Sequence, residues 1–314
     1  MQFTKTFFLV LFCSLFVNFS AKAQTDYSPL FQTINAPIKK DFPTNQLDAK
    51  RVNFLKLDDF NGKKLSNLPD KMQFNLFSDV AIEVELSKSS KSYYKNMLVY
   101  RGKSGDKRFA HLPHYRDVII IYNPNTGNIT VQLATTQGTF EIRPTTKDSE
   151  YQVIQWKDEE IDCQNFHDKT TPLHHNTATT KNVGCNEQDA DGKFVADLFV
   201  GYSYESAARV TDIDAHALSL VEMVNNGLTN SLVDNIYIRL VGTGISEHNP
   251  GVVTSVLGDV WDWFAAEIAQ TGADYVASIQ VPTGGPNEAG GWAGVGGYSS
   301  VNSINSTAAV FAMK

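Results

Sequence analysis

Apolar and polar positions alternate through the first half of the chain, and then the period changes. "AIEVEL" (Ala81 to Leu86) sets apolar against polar or acidic residues, which puts one face in a core and the other in water. "DVIIIYNPNTGNITVQLAT" (Asp117 to Thr135) joins the β-branched run Ile119-Ile120-Ile121 to "ITVQL". The joint is a turn rich in Asn, Pro and Gly from Asn123 to Asn128, so the stretch predicts a β-hairpin. "TFEIRP" (Thr139 to Pro144) and "YQVIQW" (Tyr151 to Trp156) add two alternating strands. From Val52 to about Trp156 the pattern predicts a mostly antiparallel β region with no helix.

From Lys157 to Gly192 apolar residues thin out and Asn, Thr and Asp take over, which predicts an exposed linker open to proteases. Beyond it "FVADLFVGYSY" (Phe194 to Tyr204) is nearly continuous in apolar residues, as in a strand buried on both faces. Thr211 and Asp214 fit the S/T-x-x-D/E opening of a helix. Ile213, Ala217, Leu220, Val224, Leu228 and Leu232 continue it as one apolar stripe. "NIYIRLVG" (Asn235 to Gly242) is a second strand. Val253, Val256, Val260, Phe264 and Ile268 make a second helical stripe that stops at Gly272, and "DYVASIQV" (Asp274 to Val281) is a third strand. This alternation predicts an α/β layer with crossover helices, completed by a last strand near Ser300 to Ile304.

Composition narrows the setting. Lys5 precedes the apolar run Phe7 to Phe19, and Ala21-Lys22-Ala23 precedes Gln24, the form of a cleaved secretory signal over residues 1–23. Cys13 lies inside that run and is expected to leave with it, so the protein should be secreted or periplasmic. No later apolar run reaches membrane length, so no membrane partner is expected after the signal is removed. A net charge of −7 leaves no electrostatic footprint for nucleic acid. Cys163 and Cys185 remain, and an oxidising compartment allows them to close a disulfide loop of roughly twenty residues.

Candidate chemistry is sparse. Pro113 separates His111 from His114; His167, His174 and His175 lie in the polar stretch; His216 sits on the shoulder of the first helical stripe as a packing residue; His248 precedes Pro250. No H-E-x-x-H and no G-x-S-x-G occurs, so neither a catalytic residue nor a metal ligand can be named. "GGPNEAGGWAGVGG" lacks the Lys-Ser/Thr of a phosphate loop. It reads as a loop leading into an edge strand at Gly291 to Tyr298, where an extended peptide can pair. Ser306-Thr307 ahead of Ala308 to Ala312 reads as the first turn of a helix.

The order of "ADLFVGYSYESAARV", "LVEMVNNGLTNS", "NIYIRLVGT", "TGADYVASIQV" and "GWAGVGGYSSVNSINSTAAVFA" resembles the reprolysin/adamalysin-like metzincin group of secreted zinc metallopeptidases, nearest its bacterial peptidyl-Asp metalloendopeptidase-like branch. The resemblance covers about Lys193 to Lys314, and more loosely the β-rich region before it, which looks like a propeptide. It implies an α+β/α/β two-domain protein. A signal peptide at 1–23 would precede a β-rich propeptide-like domain at 24–158 and a polar linker with a processing region at 159–192. The N-terminal part of a catalytic domain would follow at 193–314, a metzincin-like upper subdomain with a mixed twisted sheet and two helices, incomplete at its C-terminus. It further implies that Gly291, Trp292, Ala293, Gly294, Val295, Gly296, Gly297 and Tyr298 are the substrate-binding edge strand, for a protein or peptide in extended conformation. Zinc is the family's cofactor, held by a helix that follows the next strand, and the chain is expected to stop just before that helix. Cys163 or Cys185 would then be a cysteine switch. The expected activity is zinc-dependent endoproteolysis in the family, absent from this chain alone. The alternative is an inactive secreted pseudo-protease that binds or inhibits peptides.

Overall fold

The computed structural model of the protein describes residues 27–34, 49–57, 65, 67–92, 94–105, 117–156, 188, 192–252, 254–283, 291–293 and 299–304. Nine strands come first: β1 (Ser28–Thr33), β2 (Ala49–Leu57), β3 (Lys71–Phe77), β4 (Val80–Lys91), β5 (Leu98–Ser104), β6 (Asp117–Tyr122), β7 (Ile129–Thr135), β8 (Gly138–Pro144) and β9 (Glu150–Trp156). From β3 to β9 they form an antiparallel meander, and β2 adds antiparallel to β9. Closure comes from β1, antiparallel to β2 and parallel to β3, so the sheet becomes a closed barrel without open edges.

The barrel interior is packed with apolar side chains. Phe31, Phe74, Phe140, Tyr151, Met72 and Leu55 are fully or almost fully buried there. Phe31 meets Phe74 edge-on at 5.6 Å and Tyr151 at 5.3 Å. Each such side chain contributes about 1.5–3 kcal/mol of burial. This is a core and not a ligand cavity.

The second sheet follows the long polar stretch. Its strands are β10 (Phe194–Ser203), β11 (Ile236–Ser246), β12 (Tyr275–Gln280), β13 (Gly291–Ala293) and β14 (Ser299–Ser303), in the spatial order β11-β10-β12-β14-β13. All neighbours run parallel except β13, which is antiparallel to β14. Helices α1 (Tyr204–Ala207) and α2 (Ile213–Asn230) connect β10 to β11; a 3₁₀ turn (Thr254–Val256), α3 (Asp259–Trp263) and α4 (Ala265–Thr271) connect β11 to β12.

The expected α+β/α/β two-domain architecture with a metzincin-like upper subdomain is thus corrected: the protein is strand-rich and organised on a closed nine-stranded barrel. The closing strand β1 and the start of β2 lie before Val52, where the sequence pattern gave no strand. Closure also depends on pairing Ser28 with Met72, a partnership that no local pattern encodes.

Three local expectations are corrected too. The N-cap of α2 is Asp212 rather than Thr211, with its carboxylate accepting from Ala215 N at 3.0 Å. Leu232 lies beyond the end of α2 at φ 62° and is 89% exposed, so the apolar stripe ends at Leu228. The second helical stripe is broken at Phe264, whose φ of −122° separates α3 from α4. Gly272 does end α4 in the left-handed conformation that glycine adopts without strain.

Helix α2 ties the two sheets into one body. Ala217, Leu220 and Val221, with Val224 and Leu228 beside them, share one cluster with Leu198, Val200, Ile238 and Leu240 of the second sheet. The same cluster takes in Tyr94, Met97, Val99, Ile119 and Ile121 from the outside of the barrel. On the far face of the second sheet, Phe199, Val260, Phe264, Ile268 and Val276 form a separate core under α3 and α4. No described helix is long and apolar enough to cross a membrane.

Candidate functional site

Two places in this fold carry polar chemistry in an ordered setting: the outer edge of the second sheet, and the seam between the barrel and α2.

The edge is built by β13. Gly291, Trp292 and Ala293 pair with Asn302, Val301 and Ser300 of β14, and among the described residues no strand lies on the other side of β13. Gly291 is required by that pairing: a Cβ there would stand 2.9 Å from Asn302 Oδ1 and 3.3 Å from the Val301 carbonyl. Backbone donors and acceptors of an antiparallel edge strand can accept one more extended chain. Gly294, Val295, Gly296, Gly297 and Tyr298 lie outside the described residues, as do Cys163, Cys185, His111, His114, His167, His174 and His175.

The seam is built from a face of α2 that the sequence presents as polar. Asp212 accepts from Asn123 Nδ2 at 2.8 Å and Thr126 Oγ1 at 3.1 Å, both from the β6–β7 turn. Asp214 accepts from Tyr94 Oη and Lys95 Nζ, each at 2.6 Å, and from Thr243 Oγ1 at 2.6 Å. Gln132 Nε2 donates to Ser219 Oγ at 3.4 Å. Glu222 pairs with Arg101, and the Asp117 carboxylate accepts from Asn226 and, at 2.8 Å, from Asn230. These partners recur every two to five residues along the helix, so the barrel grips α2 along its whole length. A cleft of about 310 Å³ remains along the seam, lined among others by Asp117, Ile119, Gln132, Met223 and Asn226.

At the centre of the seam lies a buried ionic group. Arg143 holds Glu141 through two bonds of 2.5 and 2.6 Å, and both side chains are almost wholly buried. His216 Nε2 stands 3.1 Å from Glu141 Oε1, and His216 Nδ1 stands 2.7 Å from Tyr202 Oη. Burial, above all, holds the Tyr202 phenol well above its ordinary value, so Oη keeps its proton and donates to Nδ1. The carboxylate can only accept, so Nε2 carries the ring proton. Burial also pushes the His216 pKa below its ordinary value; Glu141 pulls it back and Arg143 pushes it down again. Burial alone would raise Glu141, but the Arg143 charge, then His216 with its charge and hydrogen bond, and the bonds from Arg143 outweigh that and hold the carboxyl at about 2. The group therefore holds an ionised Glu141–Arg143 pair and a neutral imidazole at neutral pH.

Sequence reasoning placed His216 as a half-buried packing residue and did not find this group. Glu141 and His216 are 75 residues apart in the chain, and Glu141 and Arg143 alternate with Ile142 in the manner of a solvent face. His248 stacks on Trp263 at 5.0 Å. Among the described residues no three His, Cys, Asp or Glu side chains are grouped to hold a metal ion.

No protein-family model matches the chain, and no curated protein matches it. Among solved structures the chain is similar to a chaperone–substrate complex at 19% identity and a TM-score of 0.31, over 37% of this chain and 24% of that one. It is also similar to metalloproteinase-II from Bacteroides fragilis at 10% identity and a TM-score of 0.41, over 77% of each chain. The protein thus spans about a quarter of the first of these structures. Both likenesses are distant.

Proposed function

We propose that this chain belongs to a secreted, reprolysin-like zinc metalloendopeptidase precursor, in which β13 receives an extended peptide substrate and the barrel is the propeptide. The observation that carries the reading is β13: a short antiparallel strand on the outer edge of an otherwise parallel sheet. It falls at the position that the sequence resemblance gives to substrate. Main-chain bonds along such an edge supply affinity for any extended peptide, and flanking side chains set preference. The reading gives the region 159–192 the role of processing segment, and either Cys163 or Cys185 that of a thiol ligand blocking zinc before processing. The 314 residues contain no H-E-x-x-H, so peptide binding, and not hydrolysis, is the activity expected of this chain by itself.

The absence of that motif favours a second reading, a pseudo-protease that binds peptides without cutting them. One pair of measurements separates the two. Fluorescent peptides are titrated into the purified chain, with a matched set N-methylated along one backbone edge. Binding that N-methylation abolishes supports β13 as the docking strand; equal binding of both sets removes it. The protein purified from its natural source is then assayed for peptidase activity with and without a zinc chelator. Chelator-sensitive cleavage supports the peptidase precursor, and binding without cleavage supports the pseudo-protease.

A further inference from the structure

The cleft along the seam is walled by two regular patterns. From the barrel come Asp117 and Ile119 on β6 and Gln132 and Ala134 on β7. Side chains alternate along each strand and Ile119 pairs directly with Gln132, so these four share the barrel's outer face. From α2 and its C-cap come Met223, Asn226, Gly227, Asn230 and Ser231, three and four apart on one helix face. Ile119 and Gln132 are buried and form the floor, while Gly227 and Ser231 are exposed at the rim. The space between the walls is about 310 Å³.

Two observations distinguish this space from a gap in packing. The first is Gln132. Ser219 Oγ gives its proton to the His216 carbonyl at 2.7 Å, so it can only accept from Gln132, and the 3.4 Å contact belongs to Nε2. Oε1 is left enclosed with no hydrogen-bond partner, on a residue only 1% exposed. An acceptor in such a place is unfavourable until a donor reaches it. The second is Gly227. Glycine weakens a helix relative to alanine, yet a Cβ here would meet no atom within 4 Å. Crowding does not require the glycine; its effect is to keep the cleft open.

The remaining polar groups set what can fill the cleft. Asp117 accepts from Lys103, Asn226 and Asn230, three donors on a carboxylate that offers about four lone-pair sites. Asn226 and Asn230 turn their nitrogens to it, so each amide oxygen faces elsewhere. The unmet capacity is therefore for accepting, at Gln132 Oε1 and at Asp117. Ile119, Ala134 and Met223 supply apolar surface beside them. A head group with several donors and no acceptor is an ammonium.

We propose that this cleft binds a small organic amine. Its ammonium group donates to Gln132 Oε1 and to Asp117, and its hydrocarbon part lies against Ile119, Ala134 and Met223. Because one wall is barrel and the other is α2, the bound amine also holds the two together. This inference stands independently of the peptidase reading.

Calorimetric titration of the full chain with n-hexylamine tests it, with hexanol and hexanoate as controls of equal chain length and sodium chloride holding ionic strength constant. The expected result is about one hexylamine bound per chain, roughly tenfold or more tighter than either control. Gly227→Met puts a side chain into the open space; it should keep or raise the melting temperature while abolishing binding. Gln132→Met keeps the volume but removes the acceptor, and should weaken hexylamine binding roughly tenfold. No hexylamine binding by the wild-type chain overturns the proposal, and so does equal binding of hexanol or hexanoate. Undiminished affinity in a folded Gly227→Met or Gln132→Met variant overturns it as well, because the amine then sits elsewhere.

Discussion

His216 on α2 donates from Nε2 to the carboxylate of Glu141 on β8, across 3.1 Å, while both side chains are shut away from water. The bond joins the barrel to the second sheet's longest helix through a titratable group, so the seam should respond to pH.

The sign follows from the two shifts. Unfolded, His216 binds its proton near pH 6.5; folded, burial keeps it neutral to lower pH. The unfolded state therefore holds more protons as pH falls below about 6.5, and stability drops by up to about 1.4 kcal/mol per pH unit for this one group. Glu141, held at about 2 against an ordinary 4.5, contributes stability above pH 4.5 that is lost between there and about 2. Urea midpoints measured at pH 7.5, 6, 5 and 4 should decline throughout. The variant His216→Gln should flatten the upper part of that decline; an unchanged slope would remove His216 as its cause.

The Glu141–Arg143 pair should show strong coupling. Replacing either partner leaves a buried charge without its counter-ion, at a cost of about 3–5 kcal/mol. The double variant Glu141→Leu with Arg143→Met leaves neither charge, so its loss should fall well short of the sum of the two single losses. A thermodynamic cycle from chemical denaturation gives the comparison directly, and simple additivity would contradict it.

Asp214 and Lys95 share an ion pair but should differ in weight. Lys95 is 45% exposed in its side chain, and the pair by itself is worth about 0–1 kcal/mol. Asp214 also accepts from Tyr94 and Thr243 in a more buried place. Asp214→Ala should therefore cost about 2 kcal/mol or more, against under about 1 kcal/mol for Lys95→Ala. Thermal melts of the two variants decide it.

Gly201 on β10 packs directly against the Phe264 ring, and a Cβ there would overlap the ring itself. Gly201→Ala should destabilise by about 1–3 kcal/mol through overpacking, without touching the seam. Phe264→Leu in the same chain should recover part of the loss by giving the methyl group room. If Gly201→Ala melts with the wild type, the close packing of β10 under α3 and α4 is wrong.

Much of the local structure was legible in the sequence. The alternation of "AIEVEL", the hairpin from Asp117 to Thr135, the continuous strand from Phe194 and the apolar stripe of α2 each appear close to where their periods place them. Periodicity is a property of neighbours in the chain, and those elements are set by neighbours. The tertiary structure decided the rest. Barrel closure joins Ser28 to Met72, and the seam joins Glu141 to His216 and Asp117 to Asn230; none of these partners is local. An alternating strand has two faces, and its pattern marks the polar one without saying what lies against it. Glu141, Arg143 and Gln132 therefore have the pattern of a solvent face, as do Ser219 and Glu222 on the helix, and His216 reads only as a packing residue at the edge of the stripe. They are buried because these two polar faces meet and satisfy each other's hydrogen bonds, a pairing that only the fold can make.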